Sequence, residues 1–217
     1  MELSSCVLTG KSIRLEPLTF DHHKHLAATI SDPEVGRWMT TPLATGADMR
    51  RFIEDALRAR DSGTALPFAT VDLATDQIVG STRYLNIDLA NRRVEIGATF
   101  VTPQWQRTRA NTEAKYLMLR YAFGQLGCIR VELKTDALNE RSRRAILRLG
   151  AKEEGTLRQH MIVTGGRVRD TVYFSIIDRE WPDVKARLEA KLARQPDGET
   201  RQAERSEGSR QLPNLQS

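Results

Sequence analysis

A change of hydrophobic period along the chain constrains its fold more than any other feature. From Ala47 to Arg60 the apolar residues Met49, Phe52, Ile53, Ala56 and Leu57 recur at helical spacing and share one face. From residue 66 the period becomes that of strands. Leu66 to Leu73, Gln77 to Leu85 and Arg93 to Val101 each read as a half-buried or fully buried strand. Ala74-Thr75-Asp76 supplies a hairpin turn, so these three predict an antiparallel meander. Around them helix and strand signals alternate. Ser12 to Leu18 reads as a strand, and a helix capped by Thr19 or Asp21 runs to about Ile30, stopped by Ser31-Asp32-Pro33. Thr112 to Leu126 carries the helical stripe Ala114, Leu117, Met118, Tyr121, Ala122 and Gln125, closed by Gly127. Arg130 to Thr135 is a strand, Asn139 to Leu149 a helix with Gly150 at C′. Lys152 to His160 and Arg167 to Ile177 are strands joined by Thr164-Gly165-Gly166, and a last helix runs from Asp178 to about Arg194. The order β-αα-βββ-α-β-α-ββ-α holds no repeated parallel βαβ unit. It predicts a mixed α/β (α+β) fold with a mostly antiparallel sheet and helices on both faces, not a Rossmann sheet.

Composition sets the boundaries of that fold. In residues 195–217 the only aliphatic side chains are Ala203, Leu212 and Leu215. That stretch reads as a disordered polar tail, leaving 1–194 as one domain. No run approaches the ~18 apolar residues of a membrane helix. The N-terminus lacks a basic region followed by an apolar block, so no leader is expected. Cys6 and Cys128 lie too far apart in sequence to indicate a disulfide framework or a zinc site, and a reducing cytoplasm is expected. Cys128 reads as a packed thiol and Trp181 as core. His22, His23 and His25 read as surface residues, since no matching acidic or cysteine pair accompanies them; no metal is expected.

The chain carries 33 Lys+Arg against 28 Asp+Glu, a net charge of +5. Part of that surplus falls where a strand ends at Val101 and a polar loop with Gln106, Arg107 and Arg109 feeds a helix. Helix N-termini present unpaired N–H groups and a partial positive charge, and so attract phosphate. Arg107 and Arg109 would add charge-assisted hydrogen bonds. The bland reading of the same stretch is a solvated loop with Asn111 or Thr112 as N-cap.

Four runs carry a family resemblance: VTPQWQRTRANTEAK from Val101, YAFGQLGCIRVELKTD from Tyr121, NERSRRAILRLGA from Asn139 and EEGTLR from Glu153. Together they resemble the GNAT acyltransferases, and within them the RimJ/RimL-type group that acetylates ribosomal-protein N-termini. The likeness spans about Leu8 to Arg187. It implies a sheet splayed between its fourth and fifth strands, with acetyl-CoA in the gap as co-substrate. Gln106 matches the first position of the family's pyrophosphate loop, while Arg109 and Asn111 stand where Gly and Gly/Ala are usual. Phosphate would then be held by Arg107 or Arg109 side chains and the backbone N–H groups of Thr108, Arg109, Ala110 and Asn111. Thr99, Phe100 and Val101 match the stretch whose backbone pairs with pantetheine, and Asn139 matches an Asn that touches the cofactor arm.

For catalysis, a neutral amine must attack the thioester, and a free α-amino group, with a pKa of about 8, needs only mild help. Glu95 is the candidate base, acting through water; the alternative is an ion pair with Arg92 or Arg93 on a wet sheet face. The family's usual proton-donating Tyr is replaced by Ile146, and Ser142 resembles the Ser of the ribosomal group that would face the sulfur. A backbone N–H of the fourth strand would stabilise the oxyanion. Trp38 and His160 are candidate acceptor contacts, each with a plain packing or surface alternative. The expected acceptor is a primary amine, on a protein N-terminus or a small molecule, and a homodimer is compatible with the reading. Alternatives are another acyl-CoA donor, a non-catalytic CoA-binding sensor, or a basic RNA- or ribosome-binding module built on Arg141, Arg143, Arg144, Arg148, Lys152 and Arg158. Against the last, no nucleic-acid motif accompanies the charge.

Overall fold

A computed structural model describes residues 5–30 and 32–194; the polar tail expected at 195–217 lies outside the described residues. The strands are β1 (Leu8–Thr9), β2 (Ile13–Pro17), β3 (Leu66–Asp72), β4 (Ile78–Asp88), β5 (Arg93–Val101), β6 (Arg130–Asp136), β7 (Lys152–Ile162) and β8 (Val168–Ile177). They form one sheet in the order β1-β2-β3-β4-β5-β6-β8-β7. Every neighbouring pair is antiparallel except β5 with β6. The helices are α1 (His23–Thr29), α2 (Pro33–Gly36), α3 (Gly46–Asp61), α4 (Ala110–Gly124), α5 (Glu140–Leu149) and α6 (Trp181–Arg194).

Two apolar clusters hold these layers together. Leu26 of α1 and Met49, Phe52, Ile53 and Ala56 of α3 pack with Leu18, Ala69 and Phe100. Leu117, Met118 and Tyr121 of α4, with Val184 and Leu188 of α6, pack with Ile13, Leu15, Tyr84, Val131 and Phe174. Tyr84 anchors this second cluster by donating its buried hydroxyl to the Met118 carbonyl at 2.5 Å. Strict alternation along β5 would put Val94, Ile96 and Phe100 on one face. Val94 and Ile96 instead join the α4 cluster and Phe100 the α3 cluster. The reversal occurs at Ala98, whose φ of 45° is rare for a residue with a Cβ.

Local chemistry explains the helix ends. Thr45 and Asp48 form a capping box at the start of α3. Asn139 accepts from Ser142 N at the start of α5, and Gly150 takes the left-handed position after its end. Several boundaries differ from the sequence reading. Asp32-Pro33, read as a stop, also starts α2, because Asp32 accepts from Glu34 N and Pro suits the first helical turn. Strand β4 continues past Leu85 to Asp88 through an irregular register at Asn86. Helix α4 begins at Ala110, with Arg109 as its cap in place of Asn111 or Thr112, and Gln125 falls beyond its end, exposed. The short strand β1 was not expected.

One buried carboxylate ties the N-terminal turn to the sheet's helical cover. Glu113 of α4 accepts from Lys11 N at 2.6 Å, Ser12 N at 3.0 Å and the Ser12 hydroxyl. Glu113→Ala leaves two backbone donors without an acceptor beside the core. It is expected to lower unfolding free energy by about 3 kcal/mol, read from urea denaturation midpoints.

Candidate functional site

Strands β5 and β6 pair at Arg93↔Arg130, Val94↔Val131 and Glu95↔Glu132, and no further pair joins them among the described residues. Beyond Glu95 they part, and β5 runs on to Val101 with Gly97, Ala98 and Thr99 half-exposed. A bulge sets this divergence. Ser81 of β4 pairs with Phe100 and Arg83 with Gly97, so Thr82 alone faces both Ala98 and Thr99. The β6-facing N–H and C=O groups of this stretch lack a strand partner, as the splayed cleft expected from the resemblance requires. Backbone groups of this kind pair with an extended, amide-bearing ligand.

The far end of the cleft is the loop between β5 and α4. After a short 3-10 turn at Pro103–Trp105, Gln106 donates through Nε2 to the Val101 carbonyl at 3.1 Å and accepts from Arg141 Nη1 at 2.8 Å. Its side chain thus bridges the end of β5 to the first turn of α5. Arg107 is exposed and has a φ of 64°, while Arg109, at the helix cap, has a φ of −69°. The one left-handed residue of this loop is therefore Arg107, and the missing glycines at 109 and 111 cost no backbone strain. Ala110 is buried, and its N–H is already directed to Thr108 Oγ1 at 3.2 Å. That leaves the next N–H groups of the helix start, with the exposed Arg107, to meet an anion. Two polar atoms here, Thr102 Oγ1 and Asn111 Oδ1, are buried without a hydrogen-bond partner. An open strand edge leading to a basic helix N-terminus fits the pantetheine and pyrophosphate of CoA.

At the near end stands Glu95, 1% exposed. Its Oε2 accepts from Lys134 Nζ at 3.0 Å and from Asn86 Nδ2 at 2.8 Å. The pairing with Arg93 on a wet face does not occur; Arg93 takes Asp88 at 3.1 Å and Glu132 at 3.4 Å. Lys134 Nζ also lies 5.7 Å from the ring centre of Tyr173, which His160 meets edge-on at 5.8 Å. Buried Asp136 pairs with Arg167, and the Arg167 guanidinium lies 6.0 Å from the Trp38 ring centre. A short series of contacts thus connects Glu95 to His160, and Asp136 connects through Arg167 to Trp38. Asn139 is 9% exposed and spends its Oδ1 on the Ser142 N–H at 3.0 Å, with Ser142 half-buried one turn into α5. Ile146 is buried in the apolar core.

Three charged residues of the site escaped the sequence reading. Lys134 looked like the polar half of an alternating strand. Arg83 is buried in β4, where a charge reads as solvent-facing. Lys115 is buried beneath β4 and β5, where its Nζ donates to Thr99 Oγ1 at 2.6 Å and Thr82 Oγ1 at 3.1 Å. Burial pushes its pKa down to about 7. A signal existed: Lys115, Met118 and Ala122 follow the helical spacing of the buried stripe. Conversely, part of the basic surplus is not free for a ligand. Arg143 pairs with Glu153, Arg144 with Glu140 and Lys152 with Glu180. Cys128 is packed as expected, and burial pushes its thiol up to about 11.

Residues 12–152 match the family profile described as an acetyltransferase (GNAT) domain. An uncharacterized N-acetyltransferase, p20, from Bacillus licheniformis is 31% identical over 152 residues, covering 70% of this chain and 84% of that protein. YdaF of Bacillus subtilis, provisionally named a ribosomal N-acetyltransferase, is 35% identical over 100 residues, covering 46% of this chain and 54% of its own length. Among solved structures, a GCN5-related N-acetyltransferase from Brucella melitensis superposes with a TM-score of 0.79 at 37% identity, covering 87% of this chain and 86% of that one. Mycobacterium smegmatis RimJ, solved with CoA-disulfide, superposes with a TM-score of 0.71 at 22% identity over 82% of this chain and 88% of its own, a likeness of fold.

Lys115 gives the site a pH signature. An unfolded lysine keeps its proton to about pH 10, whereas the folded one loses it near pH 7. Between those values the unfolded chain binds more protons, so this residue's burial cost is full below pH 7 and fades as pH rises. Lys115→Met is expected to raise Tm by roughly 5 °C at pH 6, with the gain shrinking toward pH 10 in thermal melts across that range.

Proposed function

The chain belongs to the GNAT acetyltransferase family, and we propose that within this acyl-transferring family it moves an acetyl group from acetyl-CoA to a primary amine by direct attack in a ternary complex. One observation carries the reading: the β5 edge left open beyond Glu95 leads directly to the basic N-terminus of α4. Acetyl-CoA supplies the activated thioester and a thiol leaving group. The backbone from Gly97 to Val101 orients the donor arm. Arg107, Arg109 and the N–H groups at the start of α4 hold the phosphates. A β5 backbone N–H at the Ala98 bulge faces the charge that develops on the carbonyl oxygen. Glu95, through a water, takes a proton from the acceptor's ammonium, so that the neutral amine attacks. Ser142 faces the departing sulfur, and Asn139 sets the helix turn that carries it. Trp38 and His160 line the acceptor side. The provisional name of YdaF supports a protein N-terminus as acceptor, with a small-molecule amine as the other source of the same group.

The RNA-binding reading is weakened by the acidic partners of Arg143, Arg144 and Lys152, which leave less free charge for a phosphate backbone.

Two measurements test the proposal. A ligand at one hundred times its Kd stabilises the native state by about 2.7 kcal/mol. Saturating acetyl-CoA is therefore expected to raise Tm by roughly 5–10 °C, and no shift at millimolar cofactor would overturn CoA binding. In a turnover assay that releases free thiol, Glu95→Gln is expected to lower kcat by about 10²-fold. Ser142→Ala is expected to slow turnover about tenfold with acetyl-CoA binding retained. Unchanged rates would remove these two roles.

A further inference from the structure

We propose that Arg83 forms a carboxylate-binding site at the reacting end of the cleft, and that one of the two reactants carries a carboxylate to meet it. The inference rests on the acyltransferase reading above. Arg83 lies in β4 and is 6% exposed, and its Nε and Nη2 are buried with no hydrogen-bond partner. A guanidinium has five N–H donors and no means of becoming neutral near pH 7. Burial brings its pKa only to about 10. Buried charges are normally paired, because an unpaired one forfeits its hydration with nothing in return. The protein offers Arg83 little. Its guanidinium carbon stands 4.2 Å from the centre of the Phe52 ring, a cation–π contact that leaves the donors unused. The acid that acts on it, Asp55, does so through space and is itself bonded to Arg58.

The position of Arg83 points to what is missing. Its register partner in β5 is Gly97, adjacent to the Ala98 bulge. Gly97 is half-exposed and carries no side chain. A methyl group at Gly97 would sit 2.9 Å from both Glu95 Oε1 and Leu85 Cδ1, so these two side chains close over the backbone at Gly97. A buried cation on β4 and a buried anion on β5 thus stand on either side of the Gly97 register pair, next to the bulge where the acyl carbon is placed in the proposed reaction. The phosphate-binding groups gather at the other end of β5, so the anion expected here is not a cofactor phosphate. A planar carboxylate matches the fork of a guanidinium.

That carboxylate has two sources. It is the far end of a dicarboxylic acyl chain on CoA, or it belongs to the amine acceptor, as an α-carboxylate or an acidic side chain next to the reacting amine. In both cases nitrogen bonds to the acyl carbon as the carbon–sulfur bond breaks. Of the two protons the ammonium nitrogen loses, one passes through water to Glu95 before attack and the other passes to the departing sulfur, so CoA leaves as the thiol.

The test compares matched pairs on the wild-type protein. In the donor arm, succinyl-CoA is set against butyryl-CoA, a neutral four-carbon acyl group, with one amine. In the acceptor arm, with acetyl-CoA, free amino acids are set against their amides, and peptides with Asp at the second residue against Asn. A preference of at least about tenfold in kcat/KM for the carboxylate member of one arm is expected, and the arm that shows it names the source. Arg83→Gln is expected to erase that preference while acetyl-CoA still raises Tm, and Arg83→Lys to retain part of it. Equal rates within every wild-type pair would overturn the inference without any variant having to fold. A preference that survives in Arg83→Gln would also overturn it. If acetyl-CoA stabilises the protein but no pair discriminates, the carboxylate site falls and the acyltransferase reading stands. If acetyl-CoA gives no stabilisation at all, both fall.

Discussion

Glu95 accepts from Lys134 on one side and Asn86 on the other, at the last register pair that β5 shares with β6. This ties β4, β5 and β6 together at the point where the sheet parts. A buried ion pair gives little net stability, because desolvation offsets much of the attraction. What it fixes is register. With Glu95 held, the bulge at Ala98 falls where β6 is turning away, and the unpaired backbone of β5 is presented to the cleft. Asn86 reaches Glu95 from a left-handed position with a φ of 48°, a conformation asparagine tolerates better than most residues.

The cleft is held open by polar contacts at both ends. At one end Lys134, Glu95 and Asn86 close the seam. At the other, Gln106 spans from the Val101 carbonyl to Arg141. Between them lie groups whose hydrogen-bonding capacity the protein leaves unused: the β5 edge, Thr102 Oγ1, Asn111 Oδ1 and the Arg83 guanidinium. Buried groups of this kind are rare in a folded protein, and their clustering along one strand and its flanks supports the proposed reading of this surface as a ligand site.

Most of the scaffold was legible in the sequence because it rests on period. The face of α3 and the β3-β4-β5 meander follow from apolar spacing, and Gly150 marks the end of α5. The splay itself was read only through family resemblance, since nothing in RVEIGATFV declares a bulge at Ala98. The same limit hid Lys115 and Arg83. Each sits at a position whose periodicity says "buried", yet charge argues for solvent, and only tertiary packing decides between the two. Glu95 stands out by its place on the strand, but the arginines offered as its alternative partners are not the ones it meets. The neighbouring arginines were near in sequence, whereas Lys134 arrives from a strand 39 positions later. The glycines absent at 109 and 111 were read as a departure from the family loop, but the left-handed turn had moved to Arg107.

Strand β7 sits at the sheet's outer edge, and its side chains from Lys152 to His160 are all exposed. It is retained by its backbone ladder to β8 and by ion pairs such as Arg130 with Glu154. The core therefore places almost no demand on which residues occupy it. Yet this strand delivers His160 to Tyr173 and so to the neighbourhood of Glu95. Sequence drift along β7 can reshape that side of the cleft while the packing that keeps the protein folded does not register the change, so choice of partner and integrity of fold are free to evolve separately.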